Sequence, residues 1–215
     1  MDNGRDRNGK TEEEFLRSYD ATKFFRPSVT VDAVLFEPTE RGAKVLLIKR
    51  GGHPFLGKWA FPGGFVEQFE TCETAAYREL FEETGVKDVV LRQLVTVSTV
   101  GRDPRCRNIT SVYCGRVCGE VNAVGGDDAD AAKWFDVEYK ECGARAVLEF
   151  SGFGTRFSAI LRIARDAFGS VDIDRTAMEE LGSIAFDHAK IIAYLLNEYA
   201  LGRIPTANDT KEGVL

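Results

Sequence analysis

The chain has 215 residues, 44% hydrophobic and 29% charged, with a formal net charge of -6. That length fills one well-packed core with additions, and the composition excludes collagen-like, disordered and membrane classes, while the negative balance argues against a nucleic-acid partner. No apolar run approaches a membrane span, and the N-terminus, MDNGRDRNGKTEEEF, has no apolar signal region, so a cytoplasmic protein without a membrane partner is expected.

Residues 1–24 read as a polar tail and a short helix, TEEEFLRSYD, with Thr11 as N-cap and an apolar stripe of Phe15, Leu16 and Tyr19. A single domain is expected from 25 to 201. SVTVDAVLFEP (28–38) and AKVLLIKR (43–50) alternate and are rich in β-branched residues, and the turn signal EPTERG between them predicts a hairpin. GGHPFLGKWAFPGG (51–64) is a Gly- and Pro-dense loop around a short extended piece, KWAF. From Thr71 to Thr84 the period becomes helical, with Tyr77, Leu80, Phe81 and Thr84 on one face and Gly85 as C-terminal cap.

Strands follow in DVVLRQLVTVSTV (88–100) and NITSVYCGRV (108–117), separated by the charged loop GRDPRCR; the acidic loop GGDDADA then leads into a short strand, AKWFDV. Strands on both sides of a helix predict an α/β fold with a mixed sheet. RAVLEFSGFGTRFSAILRIAR (145–165) reads as a hairpin insert that extends the sheet, closes over a pocket, or pairs edge to edge into a homodimer. FDHAKIIAYLLNEYAL (186–201) is an amphipathic helix in which His188 packs and hydrogen-bonds locally, and the tail, 202–215, is expected to be disordered. Five cysteines without a Cys-x2-Cys pair read as reduced thiols, and two histidines leave little material for a zinc centre or a Ser-His-Asp triad.

The chemistry concentrates in residues 67–83, where Arg78 stands as the single base among Glu67, Glu70, Glu73, Glu79, Glu82 and Glu83. On a helix Glu79, Glu82 and Glu83 span an arc of about 100°, opposite the apolar face, with Ala75 and Ala76 one turn earlier. Such a cluster is either a solvated face or a cation site. A soluble face would carry lysines at i+4, and within 67–83 there are none. Carboxylates beside a PGG turn are donors for a hard ion such as Mg²⁺ or Mn²⁺, the kind that holds phosphate oxygens and activates water.

Gly64, Glu70, Arg78-Glu79-Leu80, Glu82-Glu83 and Gly85-Val86 match every specified position of G-x5-E-x7-R-E-U-x-E-E-x-G-U, where U is aliphatic, so the segment is identified as resembling the Nudix box. The resemblance implies an α/β/α sandwich around a mixed sheet, here with an added C-terminal β-hairpin and helix. It also implies hydrolysis of nucleoside diphosphates linked to another group, with Mg²⁺ or Mn²⁺ as cofactor. By position, Glu79, Glu82 and Glu83 would be metal ligands and the Gly63 carbonyl a further one. Arg78 would pair with Glu70 and orient the glutamates. Glu79 would be either one of these ligands or, instead, the general base, a role for which Asp127 or Asp128 in GGDDADA is the alternative; as plain residues these two also fit a solvated turn.

Over residues 25–136, RPSVTVDAVLF, LLIKRGGHPFLGKWAFPGGFVE and GRDPRCRNITSVY look like the Nudix branch that includes ADP-ribose pyrophosphatases and Nudix-related transcriptional regulators. Arg50, Arg102, Arg105 and Arg107 could meet a pyrophosphate or lie on the surface, and Trp59 or Phe61 could stack on a base or pack in the core. Such enzymes often carry a proline a little nearer the box than Pro104 lies here. The substrate implied is ADP-ribose, cleaved to AMP and ribose 5-phosphate, with NADH, sugar nucleotides and oxidised NTPs as alternatives. SIAFDHAKII also resembles the segment that precedes a winged helix-turn-helix in the regulators, but the fourteen residues GRIPTANDTKEGVL are too few for that domain, so catalysis is expected over DNA-binding regulation.

Overall fold

The computed structural model describes residues 4–117 and 132–204. Cys118, the loop with Asp127 and Asp128, and residues 205–215 of the tail lie outside the described residues. The elements are α1 (Glu12–Ser18), β1 (Ser28–Thr39), β2 (Gly42–Lys49), β3 (Trp59–Ala60), β4 (Gly63–Phe65), α2 (Cys72–Thr84), β5 (Arg92–Val97), β6 (Asn108–Arg116), β7 (Ala132–Cys142), β8 (Arg145–Gly152), β9 (Thr155–Arg162), β10 (Ala177–Glu180) and α3 (His188–Ala200). They form one sheet in the order β10-β9-β8-β7-β2-β1-β6-β5, with β3 on β2 and β4 on β1.

β1 is the spine. One edge pairs in parallel with β6 from Ser28 to Phe36, while the other is shared, first by β4 at Thr30–Asp32 and then by β2 from Phe36 to Thr39. Successive side chains of a strand point to opposite faces. Val31, Ala33 and Leu35 accordingly pack with Ala75, Ala76 and Leu80 of α2, and Val34 and Phe36 with Ile191, Ile192 and Leu195 of α3. Helices on both faces make the α/β/α sandwich. Each fully buried leucine or isoleucine contributes about 1.5–3 kcal/mol, so the two-sided burial of this central strand is a main source of cohesion.

The 145–165 hairpin extends the sheet: β8 pairs with β7 from Asp136 to Cys142, β9 with β8, and β10, unforeseen from sequence, adds a last strand. The strand expected in AKWFDV continues to Cys142, because VEYKEC finds a partner in β8. Thr11 caps α1 in a capping box with Glu14. The stripe of Phe15, Leu16 and Tyr19, however, stays exposed. No helix among the described residues is long and apolar enough to cross a membrane.

Candidate active site

α2 begins at Thr71, whose hydroxyl accepts from the Thr74 amide, and ends at Gly85 with φ 68°, the left-handed conformation glycine adopts without a side-chain penalty. Its buried side is Ala75, Ala76, Leu80 and Thr84. Tyr77 and Phe81, expected on that face, are partly exposed. Glu79 and Glu83 are therefore not opposite the buried side as expected but border it, facing the loop before the helix. The alanines explain this rotation: β1 can approach closely only where side chains are small.

Arg78 organises the acids. Its Nε and Nη2 donate to the two Glu70 oxygens at 3.1 and 2.6 Å, Nη1 donates to Glu79 Oε1 at 2.8 Å and to Glu82 Oε2 at 3.1 Å, and Nη2 reaches the Phe65 carbonyl at 3.2 Å. These bonds raise the guanidinium pKa still further and hold Glu70 below the usual carboxylate range. Glu82 turns outward, its side chain 55% exposed.

Glu83 is the deeper acid. Burial, with the like charges of Glu79 and Asp32, pushes its pKa up to about 7 against the opposing pull of the Gly63 amide and Arg50. Gly63 meets it through its N–H, which donates to Glu83 Oε2 at 2.9 Å. Gly64 gives Glu79 its place, since a β-carbon there would lie 2.3 Å from Glu79 Oε1. Among the described residues no three acidic, histidine or cysteine side chains converge as a ready-made metal cage. The donors present nevertheless fit a hard divalent ion: all are oxygens, and the mutual repulsion that lifts Glu83 is what a cation would relieve.

In front of these acids lies a cleft of about 220 Å³, lined among others by Asp32, Arg50, Phe65, Arg105, Phe186 and His188. Arg50 donates to the Pro54 carbonyl at 2.8 Å and lies over the Phe186 ring, 4.9 Å from its centroid. Burial and the charge of Arg105 lower its pKa, with Glu83, Asp103 and Asp32 opposing. Arg105 is held by Asp103 at 2.7 Å and lies 5.5 Å from the centroid of Phe65. Two cations and two aromatic rings thus share the cleft with Gly63 and Gly64, against which Glu83 and Glu79 lie.

Other residues singled out from sequence are engaged within the protein. Trp59 is a core residue, 7% exposed, with its ring edge-on to Phe135 at 4.6 Å. Phe61 lines the cleft but is buried, one ring face stacked on His188 at 4.4 Å. The Arg102 side chain, 4% exposed, donates to both Asp187 oxygens at 2.9 and 2.7 Å and to Asn108 at 2.8 Å. Burial disfavours its charge, yet Asp187, Asp32 and Asp103 raise its pKa, so although it lines the cleft it is a strut already engaged by acids rather than a free anion ligand. Arg107 caps the Thr99 and Asn108 carbonyls.

Asp32 and Phe186, which line the cleft, and Asp187, which holds Arg102, are not among the site candidates named from sequence. Asp32, the one charge inside the apolar run of β1, accepts from Thr110 at 2.7 Å and has His188 Nε2 at 3.5 Å. A charge in a buried strand is itself a signal, because it must find partners. Phe186 and Asp187 could have been suspected from SIAFDH, polar groups leading into an apolar helix.

A family model described as the NUDIX domain matches residues 26–141. Over 115 residues the chain is 44% identical to an ADP-ribose pyrophosphatase of Methanocaldococcus jannaschii, covering 53% of this chain and 64% of the relative. It is 35% identical over 108 residues to an ADPR-responsive transcriptional repressor, NtrR, of Acinetobacter baylyi, covering 49% and 43%. The matches thus span less than two thirds of either relative. A MutT/nudix family protein from Enterococcus faecalis superposes with TM-score 0.66 and 32% identity over 89% of this chain and 70% of its own. The NUDIX domain of Shewanella oneidensis NrtR, crystallised with ADP-ribose, gives TM-score 0.51 and 37% identity over 58% and 82%.

Proposed function

The chain belongs to the Nudix family, and from that premise we propose that it hydrolyses a pyrophosphate bond in a nucleoside diphosphate derivative with Mg²⁺ or Mn²⁺ as cofactor, ADP-ribose being cleaved to AMP and ribose 5-phosphate. The observation that carries the reading is the grouping of opposite charges about one cleft, whose lining joins Arg50 and Arg105 to Gly63 and Gly64, the residues against which Glu83 and Glu79 lie. A diphosphate needs both signs of charge. The similarity to an ADP-ribose pyrophosphatase supports the choice of substrate.

Glu79, Glu82 and Glu83 would hold the ion, which when bound supplies charge neutralisation at the diphosphate oxygens and acidifies water. Arg78 orients Glu79 and Glu82 through its bonds to them and is itself held by Glu70, while Glu83 is held by the Gly63 amide. Arg50 and Arg105, each laid against a phenyl ring, take the phosphate oxygens as preoriented forks. Glu79, whose carboxylate lies against Gly64, is the proposed base; Asp128 is the alternative. The cleft's aromatic surfaces for a base or ribose are Phe65 and Phe186, in place of Trp59. β5 and β10 form the sheet edges, where a second copy would pair into a homodimer.

Steady-state hydrolysis with Mg²⁺ of ADP-ribose, NADH, sugar nucleotides and oxidised dNTPs tests the reading. ADP-ribose is expected to lead; a rank well below the others sinks the substrate, and no hydrolysis of any compound sinks the reaction. The likeness to repressor relatives supports a second reading, ADP-ribose sensing without turnover. Tight ADP-ribose binding without hydrolysis, together with a sequence-specific gel shift, would favour it.

A further inference from the structure

Three amides on alternate residues of the segment before the box are each met by an acceptor from another part of the chain. Trp59 N–H donates to the Ser183 carbonyl at 2.8 Å, Phe61 N–H to His188 Nδ1 at 3.0 Å, and Gly63 N–H to Glu83 Oε2 at 2.9 Å. The segment, which bends at Pro62 between β3 and β4, is thus met in turn by a carbonyl, an imidazole and a carboxylate. The first acceptor belongs to a short parallel bridge, Trp59 with Ile184, completed by Ala185 N–H to the Trp59 carbonyl at 2.7 Å. The bridge cannot continue, because Phe186 has φ 50° and turns the chain away into α3. His188 supplies by side chain the acceptor that the diverging backbone no longer offers.

We propose that His188 is a positioning residue of the active site. Its Nδ1 fixes the Phe61–Gly63 backbone and, through the Gly63 amide, the place of Glu83, so that residues 182–188, outside the matched region 26–141, are a working part of the cleft. The inference rests on the pyrophosphohydrolase reading above. To accept from Phe61, Nδ1 must be free of a proton, which places the proton on Nε2, toward Asp32 Oδ1 at 3.5 Å. Burial favours the neutral ring, against the pull of Asp32 and Asp187. The ring is further immobilised between Phe61, at 4.4 Å, and Phe186, at 5.5 Å, and its neighbour Asp187 is clamped by Arg102. Pro62 carries the restraint forward, its carbonyl accepting from Ala33 N–H at 2.8 Å. Loss of the imidazole acceptor therefore lets Phe61 shift while β1 still holds Pro62, and the resulting twist falls on Gly63.

The test compares His188→Leu, which fills the space without an acceptor, with His188→Asn, whose amide oxygen stands near the position of Nδ1. In ADP-ribose hydrolysis, the Leu variant is expected to lose kcat by about tenfold to a hundredfold with KM within about twofold, as misplaced catalytic groups do. The Asn variant should recover to within about threefold of the parent although it too loses the ring. Amide hydrogen exchange without substrate should show faster exchange at Phe61 and Gly63 in the Leu variant and near-parental exchange in the Asn variant. If the Leu variant does not fold, His188→Gln, with its acceptor one bond further out, replaces it with the same expectation. Equal loss in the Leu (or Gln) and Asn variants, a change confined to KM, undiminished kcat, or unaltered exchange at Gly63 would overturn the proposal. If the parent protein hydrolyses nothing in the panel, the functional reading fails on its own, and the exchange data still decide whether His188 holds Phe61 and Gly63.

Discussion

Glu79 stands in the space that a side chain on residue 64 would need, its Oε1 only 2.3 Å from where a β-carbon would be built. The obstacle is the far end of a flexible side chain, so Gly64→Ala should fold and push Glu79 aside. We expect hydrolysis to fall by about 10²-fold. The melting temperature should drop by only a few degrees. Parallel rate and thermal-melt measurements check the pair of outcomes, and a fully active Gly64→Ala variant would remove the close approach from the catalytic account.

Glu83 makes stability depend on pH in a direction unusual for a carboxylate. Its folded pKa, about 7, lies above the ordinary value of 4.5, so the folded state keeps the proton longer than the unfolded one. The stabilisation is full below the unfolded value and is lost as pH rises through about 7, by up to about 3 kcal/mol. A bound divalent ion favours the ionised form and should reverse the decline. Melting curves from about pH 4.5 to 8, in EDTA and in Mg²⁺, read both effects. Glu83→Gln should flatten the EDTA profile and abolish most turnover, and a flat parental profile in EDTA would contradict the burial argument.

Arg78 reaches three glutamates at once, which a lysine cannot do. Arg78→Lys should therefore keep the fold and lower kcat by about tenfold or more. Glu70→Gln, which leaves the bonds to Glu79 and Glu82 in place, should be milder. Side-by-side kcat values decide the order, and the reverse ranking would show that Glu70, not the fork, sets the geometry.

Arg102 and Arg105 look alike in sequence but should fail differently. Arg102→Ala leaves Asp187 buried and unpaired, at a cost of about 3–5 kcal/mol. Arg105 is far more exposed, so Arg105→Ala should change stability little and raise KM for ADP-ribose. Chemical denaturation and KM for each variant provide the check.

Trp59 and Phe186 should divide in the same way. Removing the Trp59 ring empties core against Phe135, costing about 3–5 kcal/mol, whereas Phe186→Ala should spare the fold and raise KM. A rise in KM for Trp59→Phe with an unchanged Phe186→Ala variant would return base recognition to the tryptophan.

The contrast shows which features were legible in the amino-acid order. The ends of α2, the hairpins and the box rest on short-range chemistry, a threonine cap, a left-handed glycine and fixed spacings, all visible within a few residues. The role of each arginine was not visible. Arg102 is taken by an aspartate 85 positions away, and Arg105 by one 2 positions away. Trp59 stood in a Gly- and Pro-rich loop, where base stacking and core packing were both open, and only β7, by bringing Phe135 against it, decides for the core. The helical period located the glutamates on one arc but misjudged which side faces inward, because Ala75 and Ala76 admit the sheet where Tyr77 and Phe81 could not.

The bond between Phe61 and His188 spans 127 positions, whereas that between Gly63 and Glu83 spans 20. During synthesis the acidic half of the cleft can thus form early, from local pairing, while the wall bearing Phe186 and His188 waits until more than a hundred further residues have emerged. Competence is therefore acquired late. A nascent chain carries a complete box well before it can present that box to a substrate.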